Sequence, residues 1–453
     1  MVSDERGLPD SFDPQTGTNI LWSAELGTET HATPVVAGGR VYIGTNNGHP
    51  RDPAQQGDRG VLMCFDEPTG RFLWQLVFPK RSEDIYFDWP QSGIASPVTV
   101  EHDRVYLVNN RGVVLCLDAP PGSLEPRILW QFDLPTGAGI WSHDAVHSSI
   151  LVHGNHLYLN TGTGVDNTHR HIRTPDAPSL VVLDKRTGRL VARDNEHIAP
   201  NIFHSTWSAP SLAAVSGHPR LFFAAGNGIV YAFDPLPKTV LDHASNGVAP
   251  SNSPPASLQR VWQFDFDPAA PKTNVHRYVT NRRESPSNFY SMPVFHHNRL
   301  YVAGGGDIWW GKNEAWLKCL DATRAGDITT NGLLWSYPLQ KHVLSTPAIY
   351  RGLVFIADCG RAFHCVDAGT GQPCWTHEIK GEAWASPLAA DDKVYLGTRS
   401  GTFYIFAASR EKKLLAAIEL GHPISSTATA ANGVLYLATM NRLYALRQGA
   451  GPQ

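Results

Sequence analysis

Charge is scarce in this chain. Of its 453 residues only 17% are Asp, Glu, Lys or Arg, and the formal net charge is −3. No basic run accompanies that balance, so the electrostatic footprint of a nucleic-acid binder is missing. Long apolar runs are missing too, since no stretch approaches the roughly 18–20 residues that a membrane-crossing helix requires. The opening "MVSDERGLPDSFDPQTG" has no apolar h-region, which excludes a secretory signal within this sequence. That fits either a cytoplasmic protein or an exported one whose leader lies outside it. Helical periodicity is absent throughout. What is plentiful is Gly (40), Pro (33) and aromatics (10%), the composition of an all-β protein with many turns. A chain this long exceeds one ordinary core, so it is built either of several domains or of repeats that each bring a share of core.

Repeats are present. "ATPVVAGGRVYIGT" (32–45) recurs as "ASPVTVEHDRVYLV" (95–108), "SMPVFHHNRLYVA" (291–303), "STPAIYRGLVFIA" (345–357) and "ASPLAADDKVYLGT" (385–398). Weaker copies at 148–161, 208–224 and 426–439 bring the number to eight. A second motif follows each, as in "FDEPTGRFLW" (65–74) and "VDAGTGQPCW" (366–375). Each unit reads as four short strands with period-2 alternation and turn residues at fixed offsets. The fold class expected is therefore all-β, an eight-bladed β-propeller of four-stranded antiparallel blades. The last copy lacks a fourth strand, and "NILWSAEL" (19–26) supplies it from the other end. Ring closure removes the sheet edges that natural proteins avoid. The expected organisation is an extension (1–18), one propeller (19–448) with insertions at 236–259 and 267–290, and a tail (449–453).

The "LDaxTGxxxW" run resembles the pyrroloquinoline-quinone-type (PQQ-like) propeller repeat over nearly the whole chain. The superfamily includes quinone-dependent alcohol dehydrogenases and BamB-type outer-membrane assembly lipoproteins without cofactor. The chain is also similar to exported PQQ-like repeat proteins of planctomycete-type bacteria, which implies a periplasmic or exported setting. Fold resemblance leaves function open.

Register sorts the cysteines and tryptophans. Cys64, Cys116, Cys319 and Cys365 each sit two residues before an Asp in different repeats, so they are one repeated core position. That leaves Cys374, on an outer strand beside Trp375, and Cys359, the one cysteine with a functional claim. Trp22, Trp74, Trp130, Trp262, Trp335 and Trp375 share an outer-strand position suited to packing between blades. Most of the others fall in loops, where an indole usually has a stacking partner.

In a propeller, the loop leading into the innermost strand and the loop joining second to third strand open on one face. We term these the lead-in and mid-blade loops. They supply a ring of imidazole, carboxylate, guanidinium, amide and indole around the channel mouth, as a polar or carbohydrate-like ligand would require. The ligand-binding candidates are His31, Asn46, Trp89, Arg111, His204, Trp207, Asn227, Trp309, His342, Asp358, Arg361, Trp384 and Arg399. Asp307, His143 and Asp144 are the candidate catalytic groups. His147, Asp166 and His169, with His143 beside them, are candidate metal ligands through nitrogen and oxygen. The bland alternative is that Asn, Asp and Gly simply serve tight turns.

The family resemblance implies PQQ with Ca²⁺ as a cofactor, with Trp207 as the floor and Asn227 as a metal ligand. Against it, the vicinal Cys pair of many such enzymes is missing, no Glu matches the calcium ligand, and no "CxxCH" haem motif occurs. Within 267–290, Arg282, Arg283 and Glu284 are placed to lean over the channel as a lid. Three readings follow. The first is a propeller that binds, and transforms, a small polar or carbohydrate-like molecule at the top-face channel. The second is a PQQ/Ca-dependent alcohol or sugar dehydrogenase. The third is a BamB-like scaffold for protein partners, which ranks last because no repeated exposed apolar signature is evident.

Overall fold

The computed structural model describes residues 1–84, 86–120, 122–123, 125–144, 148–237 and 254–451. Eight small antiparallel sheets form a ring, the expected eight-bladed propeller. Blade 1 runs from the channel outward as Val35–Ala37, Arg40–Asn46, Arg59–Asp66 and Phe72–Pro79. Blades 2 to 7 follow at 99–133, 151–193, 211–265, 294–338, 348–378 and 388–419. Blade 8 contributes Thr429–Ala431, Val434–Ala438 and Arg442–Leu446, and its fourth strand is Ile20–Glu25, antiparallel to the third. No helix among the described residues is long and apolar enough to cross a membrane.

The recurrent motifs are the glue between blades. In several blades the outer-strand indole lies on the turn between third and fourth strands of the next blade, a Thr-Gly turn in blades 1, 3 and 6, and donates its N–H to a carbonyl there. Trp22 Nε1 reaches Glu67 O (2.9 Å), Trp130 reaches Lys185 O (3.1 Å), Trp335 reaches Ala368 O (3.2 Å) and Trp375 reaches Ser409 O (2.9 Å). The turn glycine is required twice over. Gly70 has φ +70°, and a Cβ there would lie 2.5 Å from the Trp22 ring. Nearer the channel, Ser and Thr residues just ahead of inner strands link neighbouring blades. Thr346 Oγ1 accepts from Met292 N, Ser386 Oγ from Thr346 N, and Thr427 Oγ1 from Ser386 N, at 2.9–3.0 Å. The repeated cysteines Cys64, Cys116, Cys319 and Cys365 are buried in the sheets.

Two blades gain a fifth, parallel outer strand: Ala256–Ser257 beside Leu190–Arg193, and Gly326–Asp327 beside Gln259–Asp265. Most of the 236–259 insertion lies outside the described residues. A correction concerns the outer rim. The pairs Ile128–Leu129 and Leu333–Leu334, together with Leu414, are exposed at equivalent starts of outer strands. A repeated exposed apolar signature therefore exists. Sequence alone hides it, because strand alternation does not tell a covered outer strand from a bare one.

Candidate metal centre

Blade 3 builds the site jointly with blade 4. Its mid-blade loop (161–179) is stitched to two lead-in loops by short bridges, Ser142 with Thr163 and Gly164 with Ser205, and it is folded on itself by Val165 with Ile172. Those bridges bring His143, His169 and His204 together, with one ring nitrogen from each within 4.8 Å of the others. His143 and His204 are buried and His169 is half-buried. Nε2 of His143 faces Nε2 of His204 at 2.9 Å, and the Asp144 carboxylate stands 3.2 Å from the same His143 nitrogen. Asp144 and His169 both hold positive φ, 57° and 59°, a conformation that costs energy in a non-glycine residue and concentrates at functional sites.

The rear nitrogens are already oriented. His143 Nδ1 meets Val165 O at 2.7 Å, and His204 Nδ1 meets Asp307 Oδ2 at 2.8 Å. Such partners fix the tautomer and aim the remaining lone pair forward. With acceptors behind both Nδ1 atoms, the contact between the two Nε2 atoms needs one further proton between them. The environment favours that proton. Burial opposes the charge on His204, but Asp307 outweighs burial through its own charge and hydrogen bond, and the pKa is raised. Burial likewise opposes ionisation of Asp307, yet His204, Tyr290 and the Trp310 N–H bring its pKa down to about 2. His169 falls to about 4, through burial and then the neighbouring His143 and His204, and so is neutral at neutral pH. One proton thus bridges the two facing Nε2 atoms of His143 and His204. A tetrahedral metal with M–N of about 2.0–2.1 Å would set ligand nitrogens about 3.3 Å apart, so the His143–His204 pair would open by a few tenths of an ångström from 2.9 Å.

Asp307 owes its place to the run Gly304–Gly306 at the end of Arg299–Gly306. A Cβ on Gly306 would lie 1.8 Å from Lys312 O, and one on Gly305 would lie 2.3 Å from Glu314 O. Oδ1 of Asp307 accepts from Trp309 N (2.9 Å) and Trp310 N (2.6 Å), and Oδ2 accepts from His204 and from the Tyr290 hydroxyl. Its lone pairs are therefore all engaged. Where the sequence suggested a base, the carboxylate instead orients a histidine. Arg282 donates to the carbonyls of Ile308, Trp309 and Gly311. It clamps the loop that presents both indoles and does not reach over the channel.

Aromatic rings wall the centre. Trp310 is 4.5 Å from His169 and Trp309 is 5.4 Å from His204, while Trp207 lies against Tyr290 at 5.0 Å and Trp309 at 5.6 Å. Among the described residues the exposed large aromatics are Trp89 (54%), Tyr86 (41%) and Trp309 (36%), all in top-face loops. Across the mouth, Trp384 sits between Arg399 (4.5 Å) and a stacked His31 (6.3 Å), and Arg399 donates to Ser425 Oγ at 2.7 Å.

Other ring members serve their own loops. Asn46 Oδ1 accepts from Thr28, Glu29 and Gly48 backbone N–H groups. Asp358, fully buried, accepts from Gln340, Gly360 and Ala362 N–H and meets His364. Arg111 donates to Lys80 O, and Arg361 pairs with Glu378 on the surface. His342 is buried, which lowers its pKa, and the Lys312 backbone is its hydrogen-bonding neighbour. Asp166 closes its own turn through Thr168 and Arg170, outside the histidine cluster. His147 lies outside the described residues. Burial holds the Cys359 thiol well above its ordinary pKa, so it is no nucleophile. The contribution of His204 was missed as a metal ligand. The signal was available in the rule that one blade's mid-blade loop abuts the next blade's lead-in loop.

The arrangement does not fit a quinone with calcium. Tyr290 and Trp309 close on the Trp207 indole where a planar cofactor would stack. The Asn227 amide is engaged with Tyr231 Oη and Ile229 N, so it is not free to join the oxygen-rich set that calcium requires.

Comparison with known proteins bears on the fold. The sequence model of the family described as outer membrane protein assembly factor BamB matches residues 58–253, 254–409 and 313–451. No curated protein matches the chain. Among solved structures, BamB from Moraxella catarrhalis aligns with TM-score 0.61 at 12% identity, covering 94% of this chain and 99% of its own. The quinohemoprotein alcohol dehydrogenase ADHIIG from Pseudomonas putida HK5 aligns with TM-score 0.60 at 12% identity, covering 100% of this chain and 79% of its own.

Proposed function

We propose that this chain, which belongs to the BamB-type family of PQQ-like propellers, holds a divalent transition metal through His143, His169 and His204 and uses it to bind and polarise a small polar or carbohydrate-like ligand at the top-face mouth. The observation that carries the reading is the convergence of three imidazoles, two of them oriented from behind by a carbonyl and a buried carboxylate. Imidazole nitrogen with one nearby carboxylate suits zinc or a neighbouring first-row ion. Three protein ligands leave a coordination position open, the mark of a catalytic metal rather than a structural one. Half-buried His169, partly exposed Asp144 and exposed Trp309 put that position on the solvent side.

A metal there would act as a Lewis acid on a hydroxyl, carbonyl or bound water. Asp144 stands close enough to His143 Nε2 to take the released proton. The aromatic wall keeps bulk water from the rear, which strengthens these electrostatic terms. An exported, periplasmic setting is part of the proposal and rests on the family description. The test is a titration of chelator-stripped protein with Zn²⁺, Mn²⁺, Cu²⁺ and Ni²⁺, read by competition with a metal-binding dye. One equivalent bound tightly, and lost in His169→Ala and His204→Ala, supports the reading. Equal binding in both variants sinks it.

A second reading has its own observation. The apolar pairs bared at outer-strand starts in blades 2 and 5, with Leu414 in blade 7, suit docking of protein partners. It predicts that Leu333→Asp with Leu334→Asp abolishes partner capture while metal binding stays.

A further inference from the structure

The metal centre occupies one side of the mouth, and the opposite side carries a second group of polar and aromatic side chains. The two are joined by rings. His204 contacts Trp309 at 5.4 Å, Trp309 contacts Trp384 at 6.0 Å, and Trp384 is flanked by His31 and by the Arg399 guanidinium. Trp309 is the exposed member and stands between the two sides. An exposed indole at a concave mouth offers a face to the C–H surface of a sugar ring, with its polar edges left for hydrogen bonds.

The chemistry of the far side is donor and acceptor in one place. Arg399 presents a planar fork of N–H donors, held flat by the indole beneath it. The Glu29 carboxylate, 41% exposed, is an acceptor 3.5 Å from His31 Nε2. Vicinal hydroxyls both donate and accept, so they match such a pair. Charge narrows the class further. Glu29 and Glu382 are the acidic neighbours of Arg399, so one cation faces two carboxylates. An anionic ligand gains nothing there and is repelled by the excess negative charge.

We infer that Arg399, Glu29 and Trp309 form a second subsite for a neutral oligosaccharide, which reaches from the metal centre across the mouth. This rests on the proposed metal-centred function and names its ligand class. The reach of two ring-to-ring steps suits at least two linked sugar units.

The experiment uses the full chain with and without metal. Cellobiose and maltose are titrated against digalacturonate, read by tryptophan fluorescence and calorimetry, in the native protein and in Arg399→Ala and Glu29→Gln. Metal content of each variant is measured alongside. The expected result is saturable binding of at least one neutral disaccharide, weakened tenfold or more in both variants at unchanged metal content, with digalacturonate at least tenfold weaker than the neutral sugar. Metal binding with no response to either neutral sugar overturns the subsite while leaving the metal reading intact. So does digalacturonate binding as tightly as the neutral sugars. Neutral-sugar binding that both variants weaken, in a protein that takes up no metal, upholds the subsite and removes the metal from it.

Discussion

Replacing Asp307 with Asn is the sharpest perturbation of the centre, because it changes one oxygen and leaves shape intact. Asn keeps Oδ1, so the Trp309 and Trp310 N–H groups retain their acceptor. The amide nitrogen replaces Oδ2, which in the native protein accepts from His204 Nδ1 and from Tyr290. A donor then faces a donor. His204 escapes by giving up its Nδ1 proton and keeping one on Nε2, the nitrogen that points at the metal position. That tautomer cannot ligate, and the stabilising carboxylate charge is gone as well. Loss of such a supporting partner costs about 10–100-fold in metal affinity, or about 1.4–2.7 kcal/mol. Competition of the purified variant against a zinc-binding dye at fixed pH reads that loss directly. Affinity within threefold of the native protein would falsify the role given to Asp307.

Four further outcomes follow from other parts of the molecule. Metal uptake displaces the proton held on His204, whose pKa is raised by Asp307. Affinity therefore rises about tenfold per pH unit below that pKa and levels off above it, and calorimetry in buffers of different ionisation enthalpy shows about one proton released; zero release contradicts the shared-proton picture. Trp22→Ala empties a buried indole site and severs the bond to Glu67 at the ring closure, so denaturant unfolding loses about 3–5 kcal/mol. Arg410 and Thr370 hold the Asp367 carboxyl down to about 2. This stabilisation is complete above the unfolded carboxyl's pKa of about 4 and disappears as pH falls through about 2, so Arg410→Ala should unfold at a higher pH in acid titration. Of the six free cysteines Cys374 alone is partly exposed, and a thiol reagent should modify one group quickly and the rest only on unfolding.

The architecture was legible because it repeats. Alternation in "RVYIGT", the Thr-Gly turn and the outer tryptophan recur in register, and the turn and the indole meet between blades at several interfaces. Ring closure by Ile20–Glu25 followed from a missing fourth strand. The centre was legible only in part. His143 and His169 were grouped because they lie in one blade, but His204 reaches them from the next blade through the bridge of Gly164 to Ser205. By residue type Asp166 reads as a metal ligand and Asp307 as a base, and both are tied down by backbone N–H groups of their own loops. Residue type proposes a ligand or a base. Only the local backbone decides whether its lone pairs remain open.

Whether a metal sits at the three histidines is answered by crystals of zinc-loaded protein measured on both sides of the zinc absorption edge. The expected result is one strong anomalous peak about 2.1 Å from ring nitrogens of His143, His169 and His204, with His204 still bound to Asp307 behind it. An empty centre at saturating zinc, or a peak elsewhere on the propeller, contradicts it.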